Sequence, residues 1–158
     1  MAIDSILQRK IMGRFATGVT VVTTAGAGGM GGLTANAVAS LSLEPALLLV
    51  AVDKRAGSHA ELKVNRCYAV NILSLEQEDV SRRFAAPGPK DFSGLKWNTA
   101  VTGAPVFEGC LAYADCRLFE VLPGGDHDIF IGEIVAGGAR DDGDPLLYFS
   151  GKYRRLAE

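Results

Sequence analysis

Along residues 5–15 the apolar positions Ile6, Leu7, Ile11, Met12 and Phe15 gather on one face of a helical wheel, and Asp4 or Ser5 is placed to cap the first turn. The period then changes. Val19-Thr20-Val21-Val22-Thr23-Thr24 is rich in β-branched residues, Ala46 to Val52 is a short apolar run suited to a buried strand, and Tyr68 to Leu73 alternates as a half-buried strand does. Two further helices are predicted, from about Ser58 to Val64 and from Glu76 to Phe84, where Val80 and Phe84 share a face. Pro87 to Pro105 is dense in Gly, Pro, Lys and Asp and predicts a long loop, of a length usually tied to function or disorder. Leu111 to Val121, Ile129 to Val135 and Leu146 to Phe149 predict a closing antiparallel set. Turn residues join them at Pro123-Gly124-Gly125-Asp126 and from Gly137 to Asp144. Helices are too few to cover a parallel sheet, so the pattern predicts a mainly β chain, an antiparallel β-barrel with peripheral helices.

Composition narrows this reading. With 158 residues, 48% of them hydrophobic, the chain is expected to form one domain (1–158) able to bury a core without staples. Its 16 basic and 18 acidic side chains show no basic stripe or like-charge run, which argues against nucleic-acid or anionic-membrane partners. The longest apolar run, Ala46 to Val52, is far too short to span a bilayer, and charges interrupt the first 14 residues where a signal core would lie. A cytoplasmic location is therefore expected. Cys67, Cys110 and Cys116 have neither paired spacing nor clustered histidines, so buried free thiols are expected and no metal site.

Gly26-Ala27-Gly28-Gly29-Met30-Gly31 fits G-x-G-x-x-G, follows a predicted strand and lies 22 residues before Asp53, as in a dinucleotide-binding fingerprint. That motif needs its last glycine to open a helix facing the pyrophosphate. Here Gly29, Gly31 and Gly32 would burden the first turn at about 1 kcal/mol each, and Pro45 confines any helix to 34–43. A hairpin connection is the better expectation.

Two other segments carry candidate chemistry. Gly32 to Pro45 mixes small and hydroxyl residues with apolar ones, which suits a planar polar ligand approached closely by backbone. Gly124-Gly125-Asp126-His127-Asp128 holds one of the two histidines between predicted strands, and turn chemistry alone can explain its composition. There is no G-x-S-x-G elbow, P-loop lysine or H-E-x-x-H pair, which argues against hydrolase chemistry.

Taken in order, several segments resemble the short-chain flavin reductases that serve two-component monooxygenases. They are Arg14 to Thr24, Gly32 to Pro45, Tyr68 to Leu73, Gln77 to Ala85, Gly125-Asp126-His127, and Pro145 to Tyr153. The resemblance implies an FMN-binding split barrel, a homodimer, and NAD(P)H:flavin oxidoreductase activity. Reduced FMN or FAD would pass from NADH or NADPH chemistry here to a separate oxygenase component. It implies that Thr34, Ala35, Asn36, Ala37, Ser40, Leu41 and Ser42 line the flavin. Asp53, Lys54, Arg55, Ser58, His59, Phe84 and Ala85 would complete that pocket. Gly125, Asp126, His127, Tyr148, Lys152 and Tyr153 would lie on the nicotinamide side, with His127 positioning the ring. From the residues alone, Ser58 is equally an N-cap, Phe84 equally core, and Asp53 and Lys54 equally a solvated strand end. Two alternatives use the same residues: a flavin-binding electron carrier inert to NAD(P)H, and a reductase whose final acceptor is cobalamin or ferric iron.

Overall fold

The computed structural model describes residues 2–157. Helix α1 (Ser5–Gly13) is capped by the Asp4 carboxylate, which accepts from the Leu7 N–H at 2.8 Å. It ends short of Phe15, and none of its residues is buried. A two-residue strand β1 (Thr17–Gly18) leads to β2 (Thr20–Thr24), buried along its whole length, then β3 (Gly31–Ala35), β4 (Val38–Leu43) and β5 (Ala46–Asp53). Helix α2 (Gly57–Asn65) and strand β6 (Cys67–Ile72) follow. The helix predicted from Glu76 is a 3-10 turn (Leu75–Gln77) continued by α3 (Glu78–Ala85).

The predicted long loop contains a strand of its own. Strand β7 (Trp97–Thr99) pairs with β8 (Pro105–Phe107), and Phe84 stacks edge-on against Phe92 with ring centroids 5.0 Å apart. The two long strands β9 (Ala112–Gly124) and β10 (His127–Ala139) form one hairpin whose turn is only Gly125-Asp126. The predicted turn residues Pro123 and Gly124 therefore belong to β9, and Gly137, Gly138 and Ala139 belong to β10. Gly125 at φ 74° supplies the positive φ that a two-residue reversal with glycine first requires. Strands β11 (Leu147–Phe149) and β12 (Lys152–Arg154) close the chain, and β1 adds to β11 as a small separate sheet.

The main sheet runs β3-β2-β6-β9-β10-β5-β4 and all its pairings are antiparallel. Its two edges, β3 and β4, are joined by Asn36 and Ala37 alone. Extended backbone across that link reaches roughly 11 Å, so the seven strands must curl until their edges nearly meet. The Ala51 N–H donates to the Ala37 carbonyl at 3.0 Å across the closing corner. This is a barrel left open along one seam. Val22, Val50, Val52, Tyr68, Val70, Cys116 and Phe130 fill one core cluster. Gly132 makes room for the Tyr68 ring, because a Cβ there would lie 2.5 Å from the Tyr68 hydroxyl, which donates to the Phe130 carbonyl. A second cluster of Val19, Val21, Leu73, Val80, Phe84, Phe107 and Leu146 packs α3 onto the sheet. Val80 and Phe84 point into it, as their spacing predicted.

The glycine run is the hairpin loop between β2 and β3, not a helix start. Asn65, at the end of α2, holds it by accepting from the Gly28 N–H at 2.7 Å and donating to the Gly29 carbonyl at 2.9 Å. The three cysteines are buried and unpaired. No helix among the described residues is long and apolar enough to cross a membrane.

Candidate active site

Beside the open seam lies a cavity of about 450 Å³. Gly32, Leu33 and Thr34 of edge strand β3 contribute to its wall, together with Asn36 beyond the strand end. The start of α2 contributes Ala56, Gly57 and Ser58. Helix α3 supplies Ser81, Phe84 and Ala85, and the segment after it adds Ala86, Pro87, Gly88 and Lys90. Tyr148 and Tyr153 of the small sheet complete it.

Hydrogen bonds fix these walls to one another. Thr34 Oγ1 donates to the Ser81 carbonyl at 2.6 Å, joining β3 to α3, and the Ser81 and Tyr153 hydroxyls are 2.7 Å apart, joining α3 to β12. Ser58 Oγ accepts from the Gly32 N–H at 2.9 Å and donates to the Gly32 carbonyl at 2.7 Å. A Cβ at Gly32 would lie 2.9 Å from the Val22 carbonyl and 3.0 Å from the Phe84 ring, so glycine is what lets this backbone sit between them.

The start of α2 brings backbone donors to the cavity wall. Helix α2 begins after Ala56 with no side-chain cap; the His59 N–H donates to the Ala56 carbonyl at 3.0 Å, which leaves the Gly57 and Ser58 N–H groups for an anion. A Cβ built at Gly57 meets no atom within 4 Å. Arg55 and Lys90 are the cations of the wall. Burial pulls the Lys90 ammonium below its usual pKa, against the opposing charge of Glu61. Small residues in the wall of a cavity that also holds Arg55, Lys90 and the start of α2 suit a ring system carrying a phosphate.

A second constellation sits at the tip of the β9–β10 hairpin. His127 pairs in register with Asp53, the Lys54 N–H donates to the Asp126 carbonyl at 3.0 Å, and Lys54 Nζ donates to the Gly125 carbonyl at 2.8 Å. Asp53 accepts from the Arg55 N–H (2.8 Å), Nε (3.1 Å) and Nη2 (2.8 Å), bonds that hold its carboxyl well below the usual range. His127 Nδ1 and Asp126 Oδ1 are 2.7 Å apart, which lowers the Asp126 pKa in the same way. Thus the Asp53-Lys54-Arg55 turn and the Gly125-Asp126-His127 element form one corner, and Arg55 reaches from it to the cavity wall.

A family model described as the flavin reductase like domain matches residues 12–157. The chain belongs to the flavin reductase-like family. It is 37% identical over 150 residues to the FMN reductase (NADH) RutF 2 of Rhizobium rhizogenes, covering 94% of this chain and 87% of that protein. It is 36% identical over 152 residues to the flavin-dependent monooxygenase reductase subunit HsaB of Rhodococcus jostii, covering 96% of this chain and 78% of HsaB. Among solved structures, the Streptomyces globisporus NADH:FAD oxidoreductase SgcE6, in complex with NAD and FAD fragments, superposes with a TM-score of 0.92 at 36% identity. That match covers 98% of this chain and 93% of SgcE6.

Within this flavin reductase-like fold, the residues named from sequence fall into groups. Thr34, Asn36, Arg55, Ser58, Phe84, Ala85, Tyr148 and Tyr153 line the cavity. Lys152 lies in an adjoining groove that shares Ala85, Ala86, Tyr148 and Tyr153 with it. Ala37, Ser40, Leu41 and Ser42 stand outside the wall, Ala37 in the corner link and the other three on β4 at the far edge of the sheet. Leu41 is the extra residue of a bulge there, where Ser40 faces Leu48 and Ser42 faces Leu47. Ala35 is buried, and its carbonyl accepts from Thr20 Oγ1 at 2.6 Å. Asp53, Lys54, Gly125, Asp126 and His127 make the hairpin corner outside the cavity wall.

His59 also stands outside the wall, with Nε2 2.7 Å from Asp128 Oδ2. Ser58 is not the cap of α2: the cap position is Ala56, and the Ser58 hydroxyl is spent on Gly32. Phe84 is both core and wall. Ser81, Lys90 and Asp128 have no site role assigned from sequence, although Ser81 and Asp128 lie inside segments named there. The long Gly- and Pro-rich segment was the signal for Lys90, whereas Ser81 and Asp128 give none outside the fold.

Proposed function

We propose that this chain is an NAD(P)H:flavin oxidoreductase that reduces FMN or FAD and hands the reduced flavin to a separate oxygenase. The observation that carries this reading is the cavity itself, a slot walled by Gly32, Phe84 and Tyr148 with Arg55, Lys90 and the uncapped start of α2 around it. Relatives whose names specify NADH with FMN or FAD, and a monooxygenase reductase subunit, support it. Bound together, the two nucleotides supply the chemistry, a hydride passing from nicotinamide to flavin.

The residues then have mainly to place two rings in contact and to hold charge. In this reading the backbone of 32–34 lies along the flavin ring, with Asn36 at its edge. Phe84 and Ala85 back the slot, and Arg55 with the Gly57 and Ser58 N–H groups takes the phosphate. His127 guides the nicotinamide from the hairpin corner, and Tyr148, Tyr153 and Lys152 bound that side. The exposed apolar residues of α1 support a homodimer. Three unpaired thiols are consistent with the cytoplasm, where reduced nicotinamides circulate.

The test is a steady-state assay crossing NADH and NADPH with FMN, FAD and riboflavin. Oxidation of a nicotinamide that depends on added flavin is expected. A protein that retains a tightly bound flavin and oxidises neither nicotinamide would overturn the reading.

A further inference from the structure

Asp128 follows His127 on β10, and alternation along a strand turns its side chain to the opposite face. It is buried, yet it carries a carboxylate. Its Oδ2 is 2.7 Å from His59 Nε2 and 3.6 Å from Lys63 Nζ, and these two partners sit four residues apart on one face of α2. The His59 ring is held from the side as well, edge-on to Phe130 with centroids 5.3 Å apart. A buried carboxylate with ordered partners is costly to leave unpaired, so this contact helps to fix where α2 sits.

The position matters because His59 immediately follows the helix start that walls the cavity. Helix α2 is pinned on one side by the paired Ser58–Gly32 hydrogen bonds to β3 and on the other by His59–Asp128 to β10. These two pins set the Ala56-Gly57-Ser58 wall between the edge strand and the strand bearing His127. We propose that Asp128 is a positioning residue that acts through His59 to hold the α2 N-terminus in register with the phosphate end of the flavin site. This role rests on the flavin reductase reading above and extends it to a residue outside the cavity wall.

Comparing FMN with riboflavin, which has the same ring and no phosphate, isolates the effect. Dissociation constants and steady-state parameters are measured for both flavins in the wild type, Asp128→Ala, Asp128→Asn, His59→Ala and the Asp128→Ala/His59→Ala double variant. Wild-type protein should bind FMN more tightly than riboflavin. Asp128→Ala should weaken FMN by about fivefold to tenfold, the scale of a helix-terminus anion contact, while riboflavin and kcat at saturating flavin stay near wild type. His59→Ala should match it, the double variant should add little, and Asp128→Asn, which keeps an acceptor for His59, should recover most of the loss. Should Asp128→Ala fail to fold, His59→Ala and Asp128→Asn still decide the matter.

Equal weakening of FMN and riboflavin, or no change in either, would overturn the positioning role while leaving the reductase reading intact. Wild-type protein that binds the two flavins equally would remove the phosphate site and this role with it. Absence of any flavin-dependent activity would instead overturn the reading on which both rest.

Discussion

At the scale of single residues, the site divides its labour between side chains that are free and side chains already committed. Ser58 and Thr34 belong to the second kind, since their hydroxyls bond to Gly32 and to the Ser81 carbonyl. Their value to a ligand is the backbone they hold still. His127, at the hairpin corner outside the cavity wall, is nearer the first kind: it is half-exposed, Asp126 holds its Nδ1, and its Nε2 makes no hydrogen bond among the described residues. For His127→Ala we expect kcat/KM for the nicotinamide to fall on the order of tenfold with flavin affinity unchanged, because it is expected to position a ring and not to anchor the flavin. Stopped-flow reduction at varied NADH, set beside flavin titration, checks this; unchanged NADH kinetics would remove His127 from the site. The motif could be read from sequence, but its neighbour Asp128 could not. An aspartate one residue along looks like more turn chemistry until the strand puts it on the inner face against α2.

At the scale of elements, α1 is the clearest case of a pattern read correctly without its purpose. The helix forms from Ser5 as the spacing predicts, ending two residues early, with Asp4, one of the two predicted caps, in place, yet Ile6 is 78% exposed and Met12 58%. An amphipathic helix with no buried residue has an apolar face that its own chain does not cover. If that face joins two copies, light scattering should give a dimer mass, and Ile6→Glu with Ile11→Glu should shift it toward monomer without loss of circular dichroism. A monomeric wild type would remove the dimer. The segment 87–105 shows the converse. Its composition reads as loop, but Asp115 organises its end by accepting from the Val101 and Thr102 N–H groups at 2.7 and 2.8 Å, and β7 forms by pairing with β8. Neither partnership has a local signature.

For the whole molecule, acid sensitivity follows from how its carboxylates are bound. Asp53, Asp126 and Asp128 are all held below the ordinary carboxylate range, by Arg55, His127 and His59 respectively. A carboxyl with a lower pKa folded than unfolded adds stability that is fully present above the unfolded value, about 4, and is lost as pH falls through the folded one. Tm should therefore hold toward neutral pH and drop as the solution is acidified below about pH 4. In Asp128→Asn that drop should be shallower, and thermal unfolding followed across the acid range measures it. An acid limb of equal steepness in the variant would show that Asp128 contributes nothing to it.

Sequence by itself determined the parts of this protein that depend on near neighbours. β-branching, alternation and a short apolar run marked β2, β5, β6 and the closing strands β9 to β11, four-residue spacing turned Val80 and Phe84 inward, and the crowded Gly29, Gly31 and Gly32 argued against a helix opening there. The order of its motifs was enough to identify the flavin reductase resemblance. Tertiary structure decided which of the residues named from sequence share a wall and which stand apart from it. Two residues, Asn36 and Ala37, join opposite edges of a seven-strand sheet, so curling of the whole sheet places β3 at the cavity and leaves β4 outside it. Lys90, Ser81 and Asp128 acquire roles only then, because a hydrogen bond or cavity wall between residues tens of positions apart depends on the register of every strand between them.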